Sequence, residues 1–174
     1  MIWEKPQRDR RRLQSRRNRD GVAPAPSRSA EGTVMSPGSL ALVLAAAFSG
    51  AALYVNLVEQ PARLALEDQA MLNEWTPSDR RGVALLAGLA LLSAALGLIA
   101  YFTSQDVRWA IGALMIILSW PYTFFAMAPL NDQILTLAPR DIGAARVLVR
   151  QWGLLEWGQT GIGLAACLVF LWAL

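Results

Sequence analysis

The chain has 174 residues, 55% of them apolar and 17% charged, with a formal net charge of +3, one cysteine and no histidine. Without imidazole there can be no His-ligated metal centre and no Ser–His or Cys–His dyad. A lone thiol likewise removes disulfides, thiolate zinc sites and iron–sulfur clusters, so no metal is expected and chemistry falls to carboxylates, amides, tyrosine and arginine.

Residues 1–34 form a basic tail that carries seven arginines between Arg8 and Arg19 and has nine basic residues against four acidic ones. It lacks an apolar window, so disorder is expected. As a functional arm it would lie on anionic lipid or on an acidic protein surface, whereas nucleic acid is a less favoured partner. Met35 opens MSPGSLALVL, which reads as an ordinary membrane-protein start, so the tail also reads as an upstream extension of the reading frame. No apolar region with a small-residue cleavage site follows the basic stretch, which argues against a secretory signal.

The remainder, 35–174, reads as a four-span membrane domain. Its apolar residues are gathered into four blocks, about 39–58, 82–102, 109–127 and 153–174. Each is close to the roughly 20 residues that a helix needs to cross the hydrocarbon layer, and none shows the polar face of a soluble bundle helix. The fold class is therefore all-α, an integral membrane four-helix bundle with a disordered basic N-terminal tail. The long connections 59–81 and 128–152 fall on one side, the mouth, and the short 103–108 on the other, the closed side. Counted from Met35, basic residues at the mouth outnumber those opposite by six to one; with the tail the balance reverses to ten to six. Distant tail charges weigh less, so a cytoplasmic mouth in the bacterial inner (cytoplasmic) membrane is expected. Trp75, Trp109, Trp152 and Trp172 fall near span ends, as interfacial residues do. Ala46/Gly50, Ala84/Gly88 and Ser93/Gly97 have the spacing that allows close helix approach.

Polar residues in or beside the spans carry the functional signal, because each costs free energy in lipid. The first span brings Ser49, Asn56 and Glu59, with Arg63 beyond, to one face; Pro61 biases Gln60 away from helix and predicts a kink. Ser119, Tyr122 and Thr123 surround Trp120–Pro121, where a second kink would widen the bundle towards the mouth. The fourth helix is expected to start near Asp141 after Pro139 and to carry Trp152, Glu156, Gln159 and Thr160. Asn56, Glu59, Tyr122, Asn131, Arg150, Glu156 and Gln159 thus converge on one candidate cavity. In the bland alternative Glu59 and Glu156 merely reach headgroup water.

The runs GAALYVNLVEQPARL, WTPSDRRG, WPYTFFAMAPLN and RVLVRQWGLLEWGQTGIGLAACLVFLWAL resemble the anthrone-oxygenase-like family of four-span membrane proteins, over about 36–174. The resemblance implies a four-helix membrane bundle and, from its characterised members, oxygenation of a polycyclic anthrone to a quinone without a metal, flavin or other cofactor. Glu59, Pro61, Arg63, Trp75, Asn131 and Trp152 match the family pattern. Gln60, Glu156 and Asp79 depart from it; Gln60 stands where members carry a histidine, and Leu155, Glu156 and Gln159 replace a Leu-His-x-x-Arg pattern. Cofactor-free oxygenation needs a base to remove a proton. With imidazole gone, Glu59 and Glu156 are the candidate catalytic residues.

Two readings follow. One is a non-catalytic accessory subunit or small lipophilic ligand binder in a larger membrane assembly, with membrane lipid and other membrane subunits as partners. Its candidate binding residues are Asn56, Arg63, Tyr122, Asn131, Arg150, Trp152 and Gln159. The alternative is a cofactor-free membrane oxygenase acting on an anthrone-like aromatic, with Glu59 as base and Asn131 and Arg150 orienting an enolate.

Overall fold

The computed structural model describes residues 35–137 and 139–174, so the disorder expected of the tail over 1–34 lies outside the described residues. Among those described there is no strand. Four helices, α1 (Pro37–Leu64), α2 (Asp68–Ser104), α3 (Val107–Leu135) and α4 (Asp141–Ala173), are each long and apolar enough to cross a membrane. Large apolar side chains point outward, among them Phe125 at 84% and Leu154 at 71% exposure. In water such a surface would drive association; in lipid it is the ordinary exterior.

The helices run beyond the expected spans at the mouth. The segment expected to connect the first two spans is itself helical except for 65–67, because hydropathy marks only the lipid-embedded part of a helix whose Ala, Leu, Glu and Gln residues continue it into the interface. Helix starts follow local chemistry. Ser36 Oγ accepts from Ser39 N at 3.1 Å, with Pro37 in the first turn. At the closed side Gln105 adopts a left-handed conformation (φ 58°) and its N–H donates to the Tyr101 carbonyl at 2.7 Å, ending α2. Asp106 then caps α3 by accepting from Arg108 N at 3.0 Å. The hydrogen-bonded Arg108 guanidinium holds the Asp106 carboxyl below the ordinary carboxylate range. Arg108 also donates to the Trp172 carbonyl at 2.6 Å, tying α3 to the end of α4.

Prolines set the irregularities. Gln60 stays helical (φ −63°, ψ −44°) and α1 does not break at Pro61. Instead Val55–Glu59 widens into a π-helical turn, closed by Gln60 N donating to the Val55 carbonyl. The same device, Thr123–Met127, precedes Pro129 in α3. Each wide turn absorbs the hydrogen bond that the proline cannot make. At Pro121 the helix is interrupted at Leu118, whose N–H is shared between the Leu114 and Met115 carbonyls at 3.2 and 3.3 Å.

The helices form an up-down-up-down bundle in which α1 packs on α2 and α4, and α3 on the same two. Two clusters fill it. At the closed end small residues, Ala41, Ala45, Ala90, Ala94 and Ala113, close around Phe48 and Phe170. Gly97 is required there, since a Cβ would lie 2.9 Å from Phe170 Cε1. Ser93 Oγ donates to the Ala41 carbonyl at 2.8 Å across the α1/α2 seam. The expected close approach thus occurs at Ser93/Gly97; Ala46 and Gly50 face outward and Gly50 meets nothing within 4 Å. At the mouth end Met71, Trp75, Met127, Val149 and Trp152 form the second cluster. Trp75, Trp109 and Trp152 are therefore core residues and not interfacial anchors; only Trp172, 65% exposed, has the expected placement.

Candidate functional site

The mouth end is organised around Arg63, which is 2% exposed. Its guanidinium donates to Glu59 on its own helix and to Glu74 on α2. Further bonds go to Gln60 Oε1 at 3.0 Å and Ser78 Oγ at 3.2 Å, and Ser78 in turn donates to Glu59. Its Cζ lies 5.4 Å from the Trp152 ring centroid, a cation–π contact worth about 0.5–2 kcal/mol. Gln60 Nε2 donates to the Val149 carbonyl at 2.7 Å and crosses α4 at Gly153, where a Cβ would sit 2.5 Å from Nε2. The network locks α1, α2 and α4 together and leaves Arg63 fully engaged.

Beside it lies a chamber of about 50 Å³ lined by Glu59, Asp79, Trp152, Glu156 and Gln159 with apolar neighbours such as Leu86. That volume takes a few waters but falls far below the roughly 300 Å³ of an ordinary ligand pocket. Its polar atoms are unusual. Asp79 Oδ1, Glu156 Oε1, Gln159 Oε1 and Trp152 Nε1 are buried without a hydrogen-bond partner. Glu156 and Gln159 are each 3% exposed. The Trp152 indole is in interaction range of the Asp79 carboxylate without closing a regular hydrogen bond. Asp79 Oδ2 accepts from Asn131 Nδ2 at 3.1 Å, which links α2 to α3.

The chamber adjoins a larger groove of about 540 Å³ between α1 and α2, walled by Ala51, Tyr54, Pro77, Arg81 and Leu85. Val55, Glu59, Ser78 and Gly82 line both. An apolar body can lie in the groove while its polar end enters the chamber.

Of the residues singled out in the sequence, Glu59, Trp152, Glu156 and Gln159 meet in the chamber. Arg63 stands behind it and Asn131 reaches it only through Asp79. Asn56 is buried at the α1/α4 seam, where it donates to Thr160 Oγ1 at 2.9 Å. Tyr122 donates to the Leu155 carbonyl at 2.7 Å and lines neither space. Arg150 is exposed and lines neither, so it does not join the cavity on which the sequence places it; it projects from the opposite side of α4 to Trp152 and Glu156. Asp79, Glu74 and Ser78 belong to the site although the sequence did not place them there; Asp79 stood out only as a departure from the family pattern. Their signal was spacing: Glu74, Ser78 and Trp75, Asp79 recur at four residues and fall on neighbouring rows of one helix. Among the described residues no group of acidic or cysteine side chains is arranged to hold a metal ion.

A sequence model of the family described as anthrone oxygenase matches residues 75–169. No curated protein and no solved structure matches the chain.

Proposed function

The chain belongs to the anthrone oxygenase family, and from that membership and the mouth-end geometry we infer that it binds a small lipophilic ligand taken from the membrane, acting as a binder or accessory subunit. The observation that carries this reading is the junction of a largely apolar groove with a chamber of unpartnered buried polar atoms. Buried polar atoms are ordinarily satisfied, and a set left bare in one cavity marks a place where a ligand or water completes them. On the arginine balance we place the protein in the bacterial inner membrane with its mouth towards the cytoplasm; labelling of a single cysteine at Arg150 by an impermeant maleimide in intact cells would reverse that orientation.

The reading is tested by titrating the detergent-purified full chain with anthrone and following heat. Saturable binding is expected, and Gly82→Phe, which fills the groove, should weaken it by about tenfold or more. Absence of saturable binding to the unaltered chain would overturn it.

A second reading has its own support in Glu156, a buried carboxylate whose Oε1 carries no hydrogen bond and faces the chamber. Such a group can take a proton from an acidic ring methylene. The carbanion would then pass its electrons to dioxygen, one oxygen atom ending in the new carbonyl and the other leaving as water. Glu59 is less suited as base, because Arg63 and Ser78 both donate to it. Oxygen uptake with anthrone that falls by about 100-fold in Glu156→Gln is expected on this reading; an unchanged rate would remove it.

A further inference from the structure

Most hydrogen-bond donors lining the chamber are already spent. The Ser78 hydroxyl donates to Glu59 and the Thr123 hydroxyl to the Ser119 carbonyl at 2.9 Å. Because the Thr123 hydrogen is given to Ser119, its oxygen can only accept, so the Gln159 group 2.6 Å away is the NH₂. The same nitrogen lies 3.6 Å from Met127 Sδ. One side-chain N–H is left over among the described residues of the lining, that of the Trp152 indole. Unlike a carboxyl hydrogen, it is present at every pH.

Asp79 stands beside that N–H. Its Oδ2 accepts from Asn131 Nδ2 at 3.1 Å, while Oδ1 is bare and in interaction range of the indole without a regular hydrogen bond between them. A donor and an acceptor are thus neighbours, both buried and both unpartnered. The ring is held in place: Trp75 meets it edge-on with centroids 6.0 Å apart at 88°, and Arg63 Cζ lies 5.4 Å from its centroid. A guanidinium over the ring face also draws electron density from the indole, which makes its N–H a stronger donor. This pairing is the same whether or not Glu156 carries a proton.

We propose that Trp152 and Asp79 together seat a hydroxyl borne on an aromatic ring, its oxygen accepting from the indole N–H and its hydrogen going to Asp79 Oδ1. The proposal rests on the ligand-binding reading above and names the group by which the ligand is held. A hydroxyl is acceptor and donor at once, so one group completes both bare atoms. A ring carbonyl also accepts from Trp152 but leaves Asp79 as it was. Anthrone offers both forms, since its enol differs from the ketone only by a hydrogen moved from the ring methylene to the oxygen. The pair binds the enol more tightly and so draws the equilibrium towards it. Size agrees: about 50 Å³ takes the hydroxyl and the ring edge that bears it, while the rest of the ring system lies in the groove of about 540 Å³. Asp79 departs from the family pattern, so this seat is the chain's own.

The test titrates the detergent-purified full chain by calorimetry with 1-naphthol and 1-fluoronaphthalene, which are alike in size while only the first has a hydrogen to give. The naphthol is expected to bind about tenfold or more tighter. Asp79→Ala and Trp152→Phe should each remove most of that advantage and leave the affinity of the fluoro compound little changed. Equal binding of the two compounds to the unaltered chain would overturn the seat, the pair then being bridged by water, and leave the groove reading standing. A naphthol advantage that survives Asp79→Ala would overturn it too, by placing the hydroxyl elsewhere. Anthrone added under nitrogen gives a second readout: once bound it should gain the anthracene-like absorbance of its enol, and a bound spectrum that stays that of the ketone would count against the seat. Failure of all three compounds to bind would overturn the ligand-binding reading together with the seat. If neither variant folds, the naphthol comparison and the anthrone spectrum on the unaltered chain decide.

Discussion

Arg63 shows what one residue can hold together. A guanidinium buried among two carboxylates, an amide, a hydroxyl and an indole face makes a planar fork of charge-assisted bonds that no other side chain reproduces. Removing one member of such a group leaves the others uncompensated. Arg63→Ala is therefore expected to destabilise the bundle by about 3 kcal/mol, the lower end for buried pairs, because Glu59 and Glu74 keep partial access to water. Arg63→Lys should recover only part of this, since a single ammonium cannot span both carboxylates and Gln60. Thermal melts in detergent would check both, and a Lys variant as stable as the original would refute the fork argument.

At the scale of the element, two features decide the bundle's geometry. The π-helical turn Val55–Glu59 under-winds α1 just where the site begins. A regular helix would put Glu59 on the same face as Ser49, Ala52 and Asn56. With the wider turn Gln60 takes that place against α4, and Glu59 turns to meet Ser78 of α2. The second feature is close approach at small residues, which in lipid replaces the hydrophobic effect as a source of helix association. Gly97→Ala would press a methyl into Phe170 and Ala113 and is expected to cost about 1–3 kcal/mol. Gly50→Ala, at a position with open space around it, should be neutral or slightly stabilising. Equal effects of the two substitutions on the melting temperature would argue against the packing assigned to α2.

For the molecule as a whole, both core clusters and the chamber lie within Met35–Leu174, a compact unit of its own. A chain beginning at Met35 keeps the Ser36 cap and all four helices. It is expected to insert in membranes and to melt within about 2–4 °C of the full chain, the shift that corresponds to at most 1 kcal/mol for a protein of this size. A larger loss would assign the tail a structural role. Recovery of the same co-purifying polypeptides with and without 1–34 would separate ligand binding from any tethering by the tail.

The sequence by itself determined the four crossings, the tight closed-side turn, the start of α4 near Asp141 and the family. These follow from quantities local to each segment, namely apolar length, caps, prolines and short matching runs. It also brought Glu59, Trp152, Glu156 and Gln159 to one end, because alternate helices reverse direction. Which of them face the same space depended on rotation about each helix axis. That rotation is fixed by π-helical turns, by ring packing and by the path of Gln60 over Gly153, none of which leaves a periodic mark in the chain. Only the tertiary structure therefore brought Asp79 into the chamber, set Arg150 outside it, made core residues of three tryptophans and turned the bare oxygens of Glu156 and Gln159 towards one another's cavity. Contacts between helices distant in sequence decide which polar atoms are spent and which remain free.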